Sequence, residues 1–269
     1  MPQDKFDRQA FLDRIYGSEI QYESIRQELD EEYQPSVVIK KIKPVLDDGK
    51  MPEFVSQLRY RLIEIPGVIY QASGIRIFGK RIKSLLFSTD VALIRNSNAD
   101  AVLSVYPFTP QMAITNALIS ASSVPVFTGV GGGTTTGERS VQLAFQSEQA
   151  GAFGVVVNSP MRTEVIEKIA QIVDVPIVAT ISSKKDDYIA KLNAGCNILN
   201  VSAGAATAEL VQQIRTQVGQ IVPIIATGGP TPQSIKQTIE AGANAITYTP
   251  PSSADIFAEI MAQYRQAKD

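Results

Sequence analysis

Two adjacent glycines near the C-terminal end of the chain, Gly228 and Gly229, stand in a context typical of an anion-binding site. They follow the apolar residues 221–226, which predict a buried strand, and they precede a Thr-Pro segment of the kind that opens a helix. Glycine lets a backbone approach a ligand closely, and the start of a helix offers free N–H groups and the positive end of its dipole. The residues expected to bind a phosphate group are Thr227, Gly228 and Gly229, with Thr247, Tyr248 and Thr249 at the end of the next predicted strand.

A single carboxylate, Asp90, lies directly at the end of a predicted strand. It is therefore the candidate general base, or the acceptor for a substrate hydroxyl group. Capping of the following helix by the same side chain is the alternative. The other strand ends carry neutral hydrogen-bonding residues, of which Asn158, Thr180 and Asn200 are expected to position the substrate. Such a neutral rim suits a phosphorylated or otherwise polar small molecule rather than a multi-metal cluster.

A glycine-rich segment, residues 129–137, follows the third predicted strand and is dense in N–H and hydroxyl groups. It lacks the Gly-Lys-Ser/Thr sequence of a Walker loop. We expect it to fold over a ligand as a lid, with a purely flexible connector as the alternative. The residues of this candidate lid are Gly131, Gly132, Gly133 and Thr134.

The chain contains no histidine. This excludes a Ser-His-Asp or Cys-His apparatus and any metal site built on histidine, so no transition metal is expected. A carboxylate-only Mg²⁺ site stays open, although strand ends carry few carboxylates. The one cysteine, Cys196, is expected to be a buried thiol.

Composition limits the partners of the protein. A net charge of −2 over 269 residues, with a pI near 5.4, gives no basic surface for a nucleic acid. No apolar run approaches the length of a membrane helix, and the first residues lack the pattern of a secretory signal. We expect a cytoplasmic protein that binds neither nucleic acid nor membrane.

Eight short apolar runs alternate with helical segments from about residue 84 onward. The runs do not alternate between apolar and polar residues, which indicates parallel strands buried on both faces. Glycines at positions 151, 195 and 242 end three of the predicted helices just before a strand. This pattern predicts an α/β protein with a single (β/α)8 TIM barrel, with a doubly wound open sheet as the alternative. The first helix has room for little more than one turn.

The N-terminal part of the chain differs in pattern. We expect residues 1–80 to form a helical extension packed on the barrel, which residues 81–269 would form. Residues 67–71 and 74–79 read as short strands, which could form a hairpin that closes the bottom of the barrel. Capping, a lid or homo-oligomer formation are the expected uses of the extension.

The segment 224–229, together with residues 241–246, resembles the closing quarter of phosphate-binding (β/α)8 barrels. Thiazole synthase, phosphoribosylanthranilate isomerase, thiamine-phosphate synthase and the barrels of the inosine monophosphate dehydrogenase and nitronate monooxygenase type share it. The resemblance implies that the backbone at Gly228, Gly229 and residues 247–249 holds the phosphate. It covers about fifty residues, and the Thr-Pro-Pro sequence after Tyr248 departs from the glycine-containing turn of those families. No lysine at a strand end matches the catalytic lysine of thiazole synthase, and Cys196 does not match the catalytic cysteine of the dehydrogenase.

These features favour an enzyme that acts on a small phosphorylated metabolite by proton transfer, as an isomerase, a lyase or an aldolase-like enzyme. An FMN-dependent oxidoreductase that uses the same phosphate cradle is a second hypothesis. A ligand-binding barrel without catalysis is a third, and an atypical hydrolase is a fourth.

Overall fold

A closed barrel of eight parallel strands forms the body of the computed structural model, which describes residues 6–7, 9–10 and 63–266. Each strand pairs with the next along the chain, and the last pairs with the first through Tyr248 and Leu86, which closes the sheet. The strands are β1 (Ser84–Phe87), β2 (Ala101–Ser104), β3 (Val126–Gly131), β4 (Gly154–Val157), β5 (Ile177–Ile181), β6 (Ile198–Val201), β7 (Ile224–Thr227) and β8 (Ala245–Tyr248). The predicted (β/α)8 barrel is confirmed.

One α-helix follows each strand. The helices are α1 (Val91–Arg95), α2 (Met112–Ala121), α3 (Glu138–Gln149), α4 (Thr163–Ala170), α5 (Tyr188–Asn193), α6 (Thr207–Val218), α7 (Pro232–Glu240) and α8 (Ser253–Gln266). A 3-10 turn, Gly204–Ala206, leads into α6. Helix α1 has five residues, as its short sequence interval predicts. The glycines at 151, 195 and 242 each have a positive φ after a helix, which confirms their expected place at helix ends. None of the helices that the structure describes has both the length and the apolar composition of a membrane-spanning segment.

The amino ends of the strands enclose an apolar core that belongs to the barrel interior. It includes Leu85, Phe127, Val178 and Ile225 from four different strands. An antiparallel hairpin, Ile75–Ile77 paired with Lys80–Ile82, adds its own isoleucines to this core. The hairpin therefore closes the bottom of the barrel. The predicted hairpin joined residues 67–71 to 74–79, whereas in the structure residues 75–77 pair with residues 80–82.

Residues 67–71 differ from their prediction, because Gly67–Gln71 form a 3-10 helix rather than a strand. Pro66 precedes it, and its carbonyl oxygen accepts the N–H of Ile69 at 2.9 Å, which turns the chain instead of extending it. Ile69 is fully buried, so the apolar pattern of the segment reflects one packed turn. The helices predicted for the N-terminal extension lie outside the described residues, apart from the few positions named above.

A buried arginine ties together the elements at the amino end of β7 and β8. The Arg215 side chain, on α6, is 8% exposed. It donates to the carbonyl oxygens of Gly219, Val222 and Gly242 and to Asn244 Oδ1. Burial lowers the pKa of its guanidinium group to about 10, so the group stays charged at neutral pH. One side chain therefore satisfies backbone acceptors in two loops, the one between α6 and β7 and the one between α7 and β8.

Replacing Arg215 by methionine is expected to lower the free energy of unfolding by about 2–4 kcal/mol, because buried carbonyl oxygens lose their donor. Arg95→Met is the matched control, since Arg95 is exposed and, within the described part of the chain, donates a hydrogen bond to the carbonyl oxygen of Ala121. We expect the control to cost about 0.5 kcal/mol or less. Urea unfolding followed by circular dichroism measures both, and equal costs would contradict the role given to Arg215.

Candidate functional site

The carboxyl ends of the strands carry a ring of uncharged polar side chains inside the barrel. Side chains alternate between the two faces of a strand, so residues two positions apart share a face. Val178, Ile198, Ile225 and Ala245 belong to the interior core. The residues two positions further along these strands therefore also face the interior, and they are Thr180, Asn200, Thr227 and Thr247.

Two atoms of this ring are buried without a hydrogen-bond partner. Asn200 Nδ2 donates to Thr180 Oγ1 at 3.3 Å, but Asn200 Oδ1 has no partner among the described residues. Thr247 Oγ1 is also without one. The two residues are only 6% and 5% exposed. Burying an unpaired polar atom costs free energy, so such atoms in a barrel mouth indicate a ligand or ordered water.

A wide cavity of about 590 Å³ opens on the side of β1, β2 and β8. Its polar lining residues include Asp90, Asn158 and Thr249, together with Ser88, Thr89, Tyr106, Ser252 and Ser253. Much of the remaining wall is apolar, formed by Phe87, Leu93, Val105, Pro107 and Pro250. The structure thus brings the predicted base and one predicted positioning residue to the same cavity.

Asp90 is the N-cap of α1 and is held in place from two sides. Its Oδ1 accepts the N–H groups of Ala92 and Leu93 at 2.8 and 3.3 Å, and its Oδ2 accepts the hydroxyl group of Ser253. The hydrogen bond from Ser253 lowers the pKa of the Asp90 carboxyl group most strongly, with the two N–H groups adding to the effect against partial burial. Asp90 is therefore ionised at neutral pH. It also caps the following helix, which was the alternative role predicted for it.

The loop formed by the glycine-rich segment is shorter than the nine residues that the sequence predicts. Strand β3 continues through an irregularity to Gly131, whose carbonyl oxygen accepts the Asn158 N–H at 2.8 Å. A Cβ atom on Gly132 would lie 2.6–2.8 Å from atoms of Asn158. Gly131 and Gly132 are thus packed parts of the barrel wall rather than lid residues. Gly133 and Thr134 are exposed and border a small cavity of about 90 Å³, so a lid can include only these two of the four candidates.

The glycine pair after β7 has packing reasons of its own. A Cβ atom on Gly228 would lie 2.7 Å from Ile246 and 2.8 Å from Ile235, so α7 and β8 require a glycine there. The N-terminus of α7 is closed by a capping box in which Thr231 and Ser234 satisfy each other's N–H groups. Pro232, the first helical residue, has no N–H group. Few donors remain at this helix for the predicted phosphate.

The end of β8 offers fewer donors than the predicted cradle needs. Tyr248 shares the face of Ile246, on the outer side of the strand, so its side chain does not enter the mouth. Pro250 and Pro251 carry no N–H group, and the N–H of Ser252 is taken by Asp255 Oδ2 at 3.2 Å. Thr249 lines the wide cavity. Among the six predicted phosphate residues, Thr227 and Thr247 face the interior most directly.

A second polar cluster, after β4 and β5, escaped the sequence analysis. Asp186 accepts the hydroxyl groups of Ser159 and Ser182 at 2.7 and 3.1 Å. Lys191, on the buried face of α5, donates to the carbonyl oxygens of Ser159 and Thr180. Burial lowers the pKa of Lys191, and Asp186 opposes the shift. The sequence pattern that could have revealed this cluster is the spacing of Tyr188 and Lys191. Residues three positions apart share a helix face, so Lys191 lies on the face that packs against the sheet.

Comparison with known proteins supports the fold. No protein-family model matches the sequence, and a search of curated proteins finds no match. A phosphoenolpyruvate phosphomutase from Streptomyces platensis subsp. rosaceus is 14% identical, with a TM-score of 0.54 over 74% of this chain and 84% of that chain. A phosphonopyruvate hydrolase in complex with oxalate and Mg²⁺ is 12% identical, with a TM-score of 0.56 over 70% of this chain and 83% of that chain.

A third neighbour, 2,3-dimethylmalate lyase, belongs to the PEP mutase/isocitrate lyase superfamily. It is 13% identical, with a TM-score of 0.53 over 74% of this chain and 84% of that chain. At such identities the likeness establishes a shared (β/α)8 barrel and no shared activity. These neighbours differ from thiazole synthase and the other families that the end of the chain resembles, so that resemblance holds only for the barrel fold.

The donor set of the mouth does not fit the Mg²⁺ ion seen with the hydrolase. No group of three or more His, Cys, Asp or Glu side chains suited to a metal ion occurs among the described residues. The carboxylate oxygens of Asp90 already accept three hydrogen bonds from the protein.

The variants Gly132→Ala and Gly133→Ala test whether Gly132 belongs to the packed barrel wall and Gly133 to the exposed loop. Gly132 has a φ of 124° and contacts Asn158, whereas an added Cβ on Gly133 would meet nothing within 4 Å. We expect Gly132→Ala to lower the free energy of unfolding by about 1–3 kcal/mol, and Gly133→Ala to change it by less than about 0.5 kcal/mol. Urea unfolding of both variants measures this. Equal stabilities would mean that the segment is loose at both positions.

Proposed function

We propose that this protein is an enzyme that moves protons on a small phosphorylated or carboxylated metabolite, as an isomerase, a lyase or an aldolase-like enzyme. The observation that carries the proposal is the pair of buried, unpartnered atoms in the barrel mouth, Asn200 Oδ1 and Thr247 Oγ1. Aliphatic side chains could fill these positions without leaving a polar atom unpaired. A ligand that hydrogen-bonds to both residues accounts for their presence.

Asp90 takes the role of proton acceptor in this proposal. It is the carboxylate of the wide cavity, which it shares with Asn158 and Thr249. A proton passes from the bound substrate to the Asp90 carboxylate and returns to the product, so the enzyme is unchanged after each turnover. Because its pKa is lowered, Asp90 is a weak base, and the substrate must carry a proton already activated by a neighbouring carbonyl group. Asn158, Thr180 and Asn200 orient the substrate.

The structural neighbours lend this proposal support of a general kind. Their names refer to phosphoenolpyruvate, phosphonopyruvate and 2,3-dimethylmalate, which are small acids. A barrel of this fold can therefore hold such molecules. The reaction itself has to be tested on this chain, because one barrel fold serves many reactions.

Asp90→Asn tests the proposed base while keeping the helix cap, because asparagine accepts the same backbone N–H groups. A screen of sugar phosphates and keto acids would first identify a substrate. We then expect kcat to fall by about 100-fold or more, with little change in Tm. Full activity of the variant would remove Asp90 from the mechanism. Absence of turnover in the whole screen would instead favour a ligand-binding barrel.

The pH profile provides a second test of Asp90. A lowered pKa keeps the carboxylate ionised, so we expect the acid limb of kcat/KM to lie below the usual aspartate pKa of about 3.9. Ser253→Ala removes the hydrogen bond that lowers this pKa most, so the limb should move to higher pH. Initial rates between pH 3 and 8, about the range that spans both positions, measure the shift. A limb that stays in place would assign it to another group.

Identifying the molecule that co-purifies with the protein would distinguish the proposed enzyme from the FMN-dependent oxidoreductase. Native mass spectrometry of the purified chain is expected to show a small phosphate ester or acid that leaves on denaturation. A yellow protein carrying FMN would instead support the FMN-dependent oxidoreductase.

A further inference from the structure

The rim of the barrel mouth is chemically uneven from one side to the other. Two carboxylates, Asp90 and Asp255, lie where α1 and α8 begin, after β1 and β8. Hydrogen bonds to Ser253 and to Ser252 lower the pKa of these two carboxyl groups, respectively, so both are charged at neutral pH. An anionic group placed on this side would meet negative charge and few N–H donors.

The ends of β6 and β7 differ from this side, because Glu209, the acidic residue in the first turn of α6, is paired with Lys184. Thr227 Oγ1 donates to Ser202 Oγ at 3.1 Å, which brings the two strand ends together. The 3-10 turn that follows β6 exposes the N–H groups of Gly204 and Ala205, for which the described residues provide no partner. These groups lie at the start of a helix, where the dipole favours an anion.

Asn200 adds a buried polar group on the strand that leads into this turn. It is on β6, two residues before Ser202 and on the same face, and one end of its amide is unpartnered at 6% exposure. The hydroxyl group of Thr180, its partner at 3.3 Å, can donate as well as accept. The amide can therefore turn its N–H group toward the mouth and still keep that hydrogen bond.

We propose that the anionic group of the ligand binds between the ends of β6 and β7, at Asn200, Ser202, Thr227 and the N–H groups of Gly204 and Ala205. This inference rests on the proposed function and changes where the phosphate or carboxylate lies. The sequence pattern predicted the ends of β7 and β8, where the capping box of α7, two prolines and Asp255 reduce the number of free N–H donors. The rest of the ligand then extends toward the cavity that contains Asp90.

A pair of matched variants tests this placement with inorganic phosphate as the probe. Ala205→Asp adds a negative charge at the proposed subsite, and Gln233→Asp adds the same charge in the first turn of α7. Both residues are exposed, and acidic residues stabilise the first turn of a helix, so both variants should fold. Binding is followed through the amide NMR signals of the protein during titration with phosphate.

We expect Ala205→Asp to weaken phosphate binding by about tenfold or more, and Gln233→Asp to change it by less than about twofold. In the unmodified chain, the amide signals of Gly204, Ala205 and Ser202 should move. Asn200→Asp, which adds a charge without adding volume, should also abolish binding. The opposite ranking of the two matched variants, shifts confined to Thr249 and Ser252, or no phosphate binding at all would overturn the placement.

The two proposals fail in different ways. Turnover together with phosphate shifts at the end of β8 would leave the enzyme proposal standing and overturn only this placement. Phosphate shifts at Gly204 and Ala205 without turnover of any substrate would confirm the subsite and contradict the proposed activity.

Discussion

Hydrogen bonding between β8 and β1 closes the sheet, and this closure decides where every other feature of the protein can lie. A closed sheet has one interior, and side chains reach it only at every second position of each strand. At the amino ends these positions are aliphatic or aromatic, and the isoleucines of the hairpin complete the packing. Polar interior positions are therefore found at the carboxyl ends, where the loops also gather. The location of the candidate site follows from this division of the barrel.

Some backbone N–H groups at the mouth are used by helix caps, and only the others are free to bind a ligand. Helix α7 uses Thr231 and Ser234 to satisfy its first N–H groups, and the start of α8 is occupied by Asp255. Helix α1 is capped by Asp90 in the same way. A capped helix gains stability but has fewer N–H groups left for an anion. The 3-10 turn and the start of α6 have no such side-chain cap, which supports our proposal that a negatively charged group binds there.

The barrel fold leaves the reaction open. The neighbours of this chain include a mutase, a hydrolase and a lyase, all at identities of 12–14%. What distinguishes this mouth is its own set of residues: one ionised carboxylate lining the wide cavity, several hydroxyl and amide groups, and a partly apolar wall. Those residues are the basis of our proposal of proton transfer on a small polar molecule.

Much of the fold was readable from the sequence because each strand is short, apolar and followed by a helix. The eight strands, the short α1 and the glycines at helix ends were predicted on local grounds. A hairpin beneath the barrel was also predicted, but with residues 67–71 as one of its strands, whereas residues 75–77 pair with residues 80–82. The strand 67–71 was predicted wrongly, since an apolar turn held by Pro66 looks like a strand when only composition is considered. The glycine-rich segment was predicted as a loop of nine residues, but pairing with β4 extends β3 into it as far as Gly131. Strand pairing is a contact between distant residues, so no local pattern records it.

The candidate site likewise combines features that the local sequence determines with features that only tertiary contacts determine. The sequence alone determined that Asp90, Asn158, Asn200 and the Gly228–Gly229 pair follow or end strands, because position along a strand is a local property. Only the tertiary structure decided what each residue contacts. It placed Gly228 against Ile235 and Ile246, joined Asp90 to Ser253 across 163 positions of sequence, and left Asn200 and Thr247 buried without partners. Hydrogen-bond satisfaction depends on neighbours that closure of the barrel brings together, and those neighbours are far apart along the chain.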